Sequence, residues 1–265
     1  MQTNITKLGR LLPWLAALAL TPSRADLPPE LAAALHHLQN QGSYKWEVIN
    51  GDPGPVAQSL VTRRGTVTTL QQNTSPHILG RLAGNGEIFL QRDWADGLQL
   101  DTLVAADTAM ITRTPEGWLT TREILTALAE EGVNNAQPTA RYSWLKRADR
   151  PSVRRPDQEL TQFLKNSASI EVSGDAYVVS IVTGNNKPGK KDDADAQASI
   201  KVTITVHLSG GVIRTYEVKL EGTMIATSAY IPVPMSDDRI VILTYLPVTK
   251  LDVPEEARAK LSAAR

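Results

Sequence analysis

The string with the most pointed chemical spacing is Gly184-Asn185-Asn186-Lys187-Pro188-Gly189-Lys190-Lys191. It matches the GxxxxGK spacing of a phosphate-binding loop, in which backbone N–H groups cradle phosphate oxygens and the lysine reaches the terminal phosphates. Two parts of that device are missing. Lys191 stands where a Ser or Thr hydroxyl would ligate magnesium, and the stretch that follows is polar and acidic, not the apolar helix whose N-terminus would hold the anion. A solvated loop accounts for it better. Asp192, Asp193 and Asp195 offer oxygen ligands for a weakly held calcium, but beside Lys187, Lys190 and Lys191 they read as a self-neutralising loop.

The four histidines give no metal spacing. His36 and His37 are adjacent on a helix and diverge by about 100°, so they cannot chelate as an i, i+4 pair does. His77 falls in a loop, and His207 lies on the polar side of a strand. No HExxH and no GxSxG elbow is present. The neighbouring acids Glu130-Glu131 and Glu255-Glu256 read as solvated helix faces. Nothing local marks an enzyme, a cofactor or a resident metal, and a non-catalytic protein is the expectation. Trp46, Trp94, Trp118 and Trp144 each fill core in the simplest account; together on a sheet such aromatics can also line an apolar cavity.

The elements that must position these residues begin after an N-terminal segment with three parts of a secretory signal. Lys7 and Arg10 open it, Leu11 to Leu20 form an apolar run too short to span a bilayer of ~30 Å, and Ser23-Arg24-Ala25 supplies a small-residue cleavage site before Asp26. Cleavage there removes three basic residues and no acid, leaving 240 of the 265 residues with 25 basic against 28 acidic side chains. A weakly acidic chain has no electrostatic footprint for nucleic acid or for an anionic membrane. The sequence has no cysteine, so neither disulfides nor thiolate metal sites nor a lipid-anchor cysteine contribute. The expectation is an exported protein, periplasmic or secreted, with no integral membrane segment after cleavage.

The strongest structural pattern is Ile200 to Leu220. Ile200, Val202, Ile204, Val206 and Leu208 alternate with Lys201, Thr203, Thr205 and His207, the period-2 signature of a strand with one buried face. Gly210 and Gly211 can take the positive φ of a tight reversal, and Val212, Tyr216, Val218 and Leu220 continue the buried side. Upstream, Pro28-Pro29-Glu30 opens a helix closed by Gln41-Gly42, and Tyr44, Trp46 and Val48 share one face of the next strand. Strands are predicted over 58–63, 65–71, 87–90, 103–106 and 109–112, with loop over 72–86. Thr120 to Glu123 is a capping box at the head of a helix ended by Gly132. Residues 134–138 and the proline-marked run 150–156 are connections, followed by a helix over 157–166. Strands follow at 169–172, 176–183, in the 200–220 hairpin, near 223–231 and at 239–250, before a terminal helix from Pro254. Strands come in runs rather than as βα alternation, which predicts an antiparallel α+β architecture.

Three passages resemble bacterial exported proteins of the lipoprotein-carrier-like half-barrel family, the LolA and LppX type. They are the N-terminal helix running into Ser43-Tyr44-Lys45-Trp46, the glycine-turned hairpin from Val202 to Tyr216, and the close Val248-Thr249-Lys250-Leu251-Asp252-Val253-Pro254-Glu255-Glu256-Ala257; Ala109 to Trp118 fits too. The resemblance covers most of residues 26–265. It implies a curved antiparallel β-sheet, a half-barrel wrapped around helices, whose apolar interior accepts acyl chains in characterised carriers. The charged insertion Gly184–Gln197 and the absent anchor cysteine depart from anchored members, and no ligand residue carries over position by position.

The expectation is therefore one half-barrel domain over 26–265 that holds a lipid, a lipoprotein acyl chain or another hydrophobic ligand on its apolar face. Tyr44, Trp46, Val202, Ile204, Val206 and Tyr216 lie on that side. The competing expectation is a structural or interaction protein of the cell envelope, its core filled, whose polar edges or basic segment Lys146 to Arg155 bind another envelope protein.

Overall fold

The computed structural model describes residues 26–51, 56–62, 65–71, 75–106, 108–134, 139–149, 151, 153–184, 199–226 and 231–264. The signal-like segment 1–25 and the loop residues 185–197 lie outside that set, and so do the reversal at Arg63-Arg64 and most of the 134–138 link. In chain order the elements are α1 (Pro29–Asn40), β1 (Tyr44–Asn50), β2 (Val56–Thr62), β3 (Gly65–Gln71), β4 (His77–Leu82), β5 (Ile88–Asp93), β6 (Gln99–Val104), β7 (Met110–Thr114), β8 (Gly117–Thr120), α2 (Thr121–Asn134), α3 (Ala140–Ala148), α4 (Pro156–Lys165), β9 (Ser169–Ser173), β10 (Ala176–Gly184), β11 (Ser199–Ser209), β12 (Val212–Ala226), β13 (Ile231–Thr244) and α5 (Glu255–Ala263).

Eleven strands form one open antiparallel sheet in the order β8-β7-β6-β5-β4-β1-β13-β12-β11-β10-β9, while β2 and β3 pair separately. The sheet is two meanders, β4 to β8 and β9 to β13, joined by β1, which pairs with β4 on one side and β13 on the other. This arrangement explains the helical cover. The first meander ends at one edge, β8, and the second begins at the opposite edge, β9. At about 4.8 Å per strand the chain must travel roughly 48 Å across the sheet between them. The helices α2, α3 and α4 are that journey. With α1 they cover one face, burying a large cluster under α1 and α4 and a smaller one, including Trp94, Leu100, Ile124 and Leu145, under α2 and α3. The other face carries a third cluster, where Leu103, Ile111 and Trp118 meet Val253, Ala257 and Leu261 of the C-terminal segment and α5. Among the described residues no helix is long and apolar enough to cross a membrane.

Local chemistry places several boundaries as the sequence predicts. Gly210 and Gly211 turn with φ of 61° and 76°, and at the head of α2 the Glu123 N–H donates to Thr120 Oγ1 while Glu123 accepts from the Thr120 N–H. Four expectations are corrected. The weak pattern over 72–86 contains β4, a strand central to the sheet. Helix α3 occupies the stretch between the two predicted connections, to which the sequence assigns no element; Thr139 caps it by accepting from the Tyr142 N–H. β12 runs unbroken to Ala226, and β13 ends at Thr244, not Lys250.

The fourth correction concerns which side chains of β12 face inward. His207 pairs with Thr215, but Leu208 pairs with Ile213, so Arg214 is an extra residue, a β-bulge. One inserted residue inverts the parity of a strand. Ile213 is consequently fully buried, while Val212, assigned to the inner side from the sequence, is only partly so. Ile213→Ala should cost about 2–4 kcal/mol in urea unfolding and Val212→Ala less than about 1 kcal/mol. Equal penalties would show that the bulge does not set the register.

Candidate functional site

The six residues named from the sequence meet in one place. Tyr44, Trp46, Val202, Ile204, Val206 and Tyr216 are all at most 3 % exposed, and all belong to the cluster under α1 and α4. Leu31, Leu35 and Leu38 of α1 and Leu160, Phe163 and Leu164 of α4 lie over them. Amphipathic spacing gives each helix its inward stripe. Around the closed centre the same face continues as an incompletely covered rim, with Val48, Ile78, Val153, Ile200 and Leu220 only partly buried.

The two covering helices are fastened by a device that hydrophobic periodicity does not display. Three tyrosines of the sheet donate to three carboxylates, each from the first turn of a covering helix. Tyr177 Oη reaches Glu30 Oε2 of α1 at 2.9 Å, Tyr44 Oη reaches Asp157 Oδ1 of α4 at 2.6 Å, and Tyr216 Oη reaches Glu159 Oε2 of α4 at 2.8 Å. The first turn suits an acid, because it faces the positive end of the helix dipole. Gln39 on α1 donates to Thr161 on α4 at 2.8 Å, tying the helices together.

Arginines complete the α4 anchor. Arg155 grips Asp157 with two bonds, Nε to Oδ1 at 3.0 Å and Nη2 to Oδ2 at 2.7 Å. Arg239 of β13 donates to Glu159 Oε1 at 2.6 Å, and Arg154 approaches the same oxygen at 3.4 Å. Burial, then the Asp157 bond, raises the Tyr44 phenol well above its ordinary range; burial and the nearby Glu159 carboxylate do the same for Tyr216. Both phenols therefore remain donors throughout the neutral range. Burial lowers the Arg154 guanidinium, with the Arg239 charge acting in the same direction.

Each carboxylate of this cluster accepts from a phenol, and Asp157 and Glu159 accept from arginines as well. The cluster's chemistry is fastening: at α4 two buried carboxylates meet phenols and guanidinia, and at α1 the exposed Glu30 meets the Tyr177 phenol, so the elements separate only by breaking charge-assisted bonds. Sequence reasoning passed over it because Arg154-Arg155-Pro156-Asp157-Gln158-Glu159 reads as a proline-marked connection followed by an ordinary acidic first turn. Its signal was the phenol-bearing residues on the inward face of three strands, since a buried Tyr hydroxyl needs a partner.

The other candidates do not converge. His36 and His37 bond to Asn40 and Gln41 on the exposed side of α1. His77 does not lie in a loop; it opens β4 and meets Glu47 at 2.7 Å. His207 pairs across the ladder with Thr215, facing away from the α1 and α4 cover. Of the phosphate-loop-like string, Gly184 ends β10 and the remainder lies outside the described residues, as do Asp192, Asp193 and Asp195. Among the described residues no three His, Cys, Asp or Glu side chains gather as a metal site would require. Comparison with family models, with curated proteins and with solved structures returns no match for this chain.

Proposed function

We propose that the chain is a non-catalytic, exported protein of lipoprotein-carrier-like fold that binds a lipid, an acyl chain or another hydrophobic ligand between its sheet, curled as a half-barrel, and the helices α1 and α4. The observation that carries this reading is the apolar face itself. It runs from β5 through β4, β1, β13, β12 and β11 to β10, and what covers it is two helices from distant parts of the chain. Those helices are held at their first turns by side-chain bonds. A face covered in that way can exchange its cover for a guest. Each guest methylene taken out of water contributes about 0.8 kcal/mol, so a ten-carbon chain brings roughly 8 kcal/mol to set against the helix contacts it displaces. The Met1–Ala25 pattern supports export and a periplasmic place of action.

One observation favours a second reading, an envelope structural or interaction protein with a filled core. The six face residues are buried by the protein's own helices, so the face needs no guest to be satisfied. In that reading the basic segment Lys146 to Arg155 is a weak lure for a partner, because Arg147, Arg154 and Arg155 already pair with Asp96, Glu159 and Asp157.

The experiment is native mass spectrometry of protein purified without detergent, before and after organic extraction. The ligand reading expects a mass in excess of the polypeptide that extraction removes and lipid analysis identifies. A single species at the polypeptide mass, unchanged by extraction and by incubation with lipid, overturns it in favour of the filled core.

A further inference from the structure

One cation on the helix-covered face is left without a counter-charge. Arg92 of β5 is only 6 % exposed, and among the described residues no carboxylate lies within ion-pair distance of it. Its Nη1 donates to the Arg147 carbonyl at 3.0 Å and its Nη2 to Thr102 Oγ1 at 2.9 Å, which in turn meets Thr112 Oγ1 at 3.2 Å. The guanidinium lies over the Trp94 ring, with its carbon 5.4 Å from the centroid. Its Nε is buried and has no partner. Asp101 attracts it only from the opposite face of the sheet, where Asp101 bonds to Arg113 and Gln99. Burial pulls the Arg92 pKa down to about 10, with Asp101 acting against the fall. A guanidinium desolvated by neutral groups alone is costly to keep, and a carboxylate partner is what removes that cost.

Its place in the register shows what reaches it. Val48 of β1 pairs with Ile78 of β4, and Ile78 pairs with Arg92, so the three stand in one row on one face. Val48 and Ile78 belong to the incompletely covered rim. A partly buried apolar strip therefore ends at a buried cation with an unused N–H.

We propose that Arg92 is the head-group site for a single-chain carboxylate amphiphile, a fatty acid, whose chain lies across Val48 and Ile78. This rests on the hydrophobic-ligand reading and adds the class of ligand. The guanidinium edge formed by Nε and the neighbouring Nη matches the two oxygens of a carboxylate. Trp94 covers its flat side, and the Arg147 carbonyl and Thr102 fix its orientation. Uncharged lipids lack the group that this position is missing.

The test compares dodecanoate with dodecanol by calorimetric titration of the wild type, Arg92→Met and Arg92→Lys, with folding of each checked by circular dichroism. The wild type should bind dodecanoate at least roughly tenfold more tightly than dodecanol, the effect of one charge-assisted contact. Arg92→Met should abolish that preference, with the larger loss on dodecanoate, and Arg92→Lys should keep part of it. If Arg92→Met fails to fold, the wild-type comparison and Arg92→Lys decide. Equal binding of the two ligands by the wild type, or a preference that survives Arg92→Met, overturns the assignment to Arg92 and leaves the hydrophobic-ligand reading standing. No binding of either ligand overturns both.

Discussion

Gly80→Ala is expected to lower the unfolding free energy by about 3 kcal/mol, far more than such a small change costs on a protein surface. Gly80 sits in the middle of β4, directly across from Trp46 of β1, and on the inner face its missing side chain is replaced by the Trp46 indole. A Cβ at Gly80 would fall within the indole, overlapping Cε2, Cζ2 and Cδ2. The indole has no free direction in which to retreat: Trp46 is 3 % exposed and its ring lies 5.6 Å from that of Tyr44. The opposing effect, a less flexible unfolded chain, favours alanine by about 0.4–1 kcal/mol and is too small to win. The clash predicts strong coupling. In a Trp46→Leu background, where the space is empty, Gly80→Ala should cost less than about 1 kcal/mol. Urea unfolding of the four proteins measures this directly, and an equal penalty in both backgrounds would mean that the indole is not what Gly80 makes room for.

The same contact explains why β4 escaped sequence reasoning. Periodicity detects a strand through the apolar residues on its buried face, and here the buried position at the strand's centre holds no side chain. The partner that fills it, Trp46, is 34 positions away in sequence. The β11–β12 hairpin was legible because its inward residues are large, regular and local, and its turn needs two positive φ angles that glycine supplies. Its parity past the turn was not, because a bulge at Arg214 has no compositional mark. Helix α3 was missed for a simpler reason: it buries little beyond Leu145 and Ala148, so it offers no stripe to read.

The candidate site divides along the same line. The six apolar-face residues were found from alternation alone, since burial on a sheet is a one-dimensional pattern. The polar fastening and Arg92 were not, because a carboxylate in a first helical turn or an arginine in a strand is written identically whether its partner is water or a buried phenol. Topology decides between those. Once the chain must cross from β8 to β9, α4 lies over the sheet, and the acids of its first turn face tyrosines instead of solvent.

Glu159→Ala should therefore destabilise the protein by about 3–5 kcal/mol, the cost of leaving buried charge unmatched. One carboxylate serves three donors: Tyr216 Oη at 2.8 Å, Arg239 Nη2 at 2.6 Å and Arg154 Nη1 at 3.4 Å. Arg239, 11 % exposed at its side chain, is the donor that suffers most, because among the described residues it keeps only Asp237 at 3.5 Å. Tyr216→Phe removes one bond and keeps the carboxylate paired with arginine, so it should cost only about 1 kcal/mol. Glu159→Gln preserves an acceptor and the shape but not the charge, and should fall between the two. Because the anchor lies at the N-terminus of α4, the loss should be local before it is global: hydrogen exchange in Glu159→Ala should speed up first in α4 and in Tyr216's neighbours on β12, with the β5–β7 ladder unaffected. If Glu159→Ala proves no less stable than Tyr216→Phe, the carboxylate is not the shared anchor. If exchange instead rises evenly across the sheet, α4 is an integral part of one cooperative core, and a cover that exchanges with a ligand loses its physical basis.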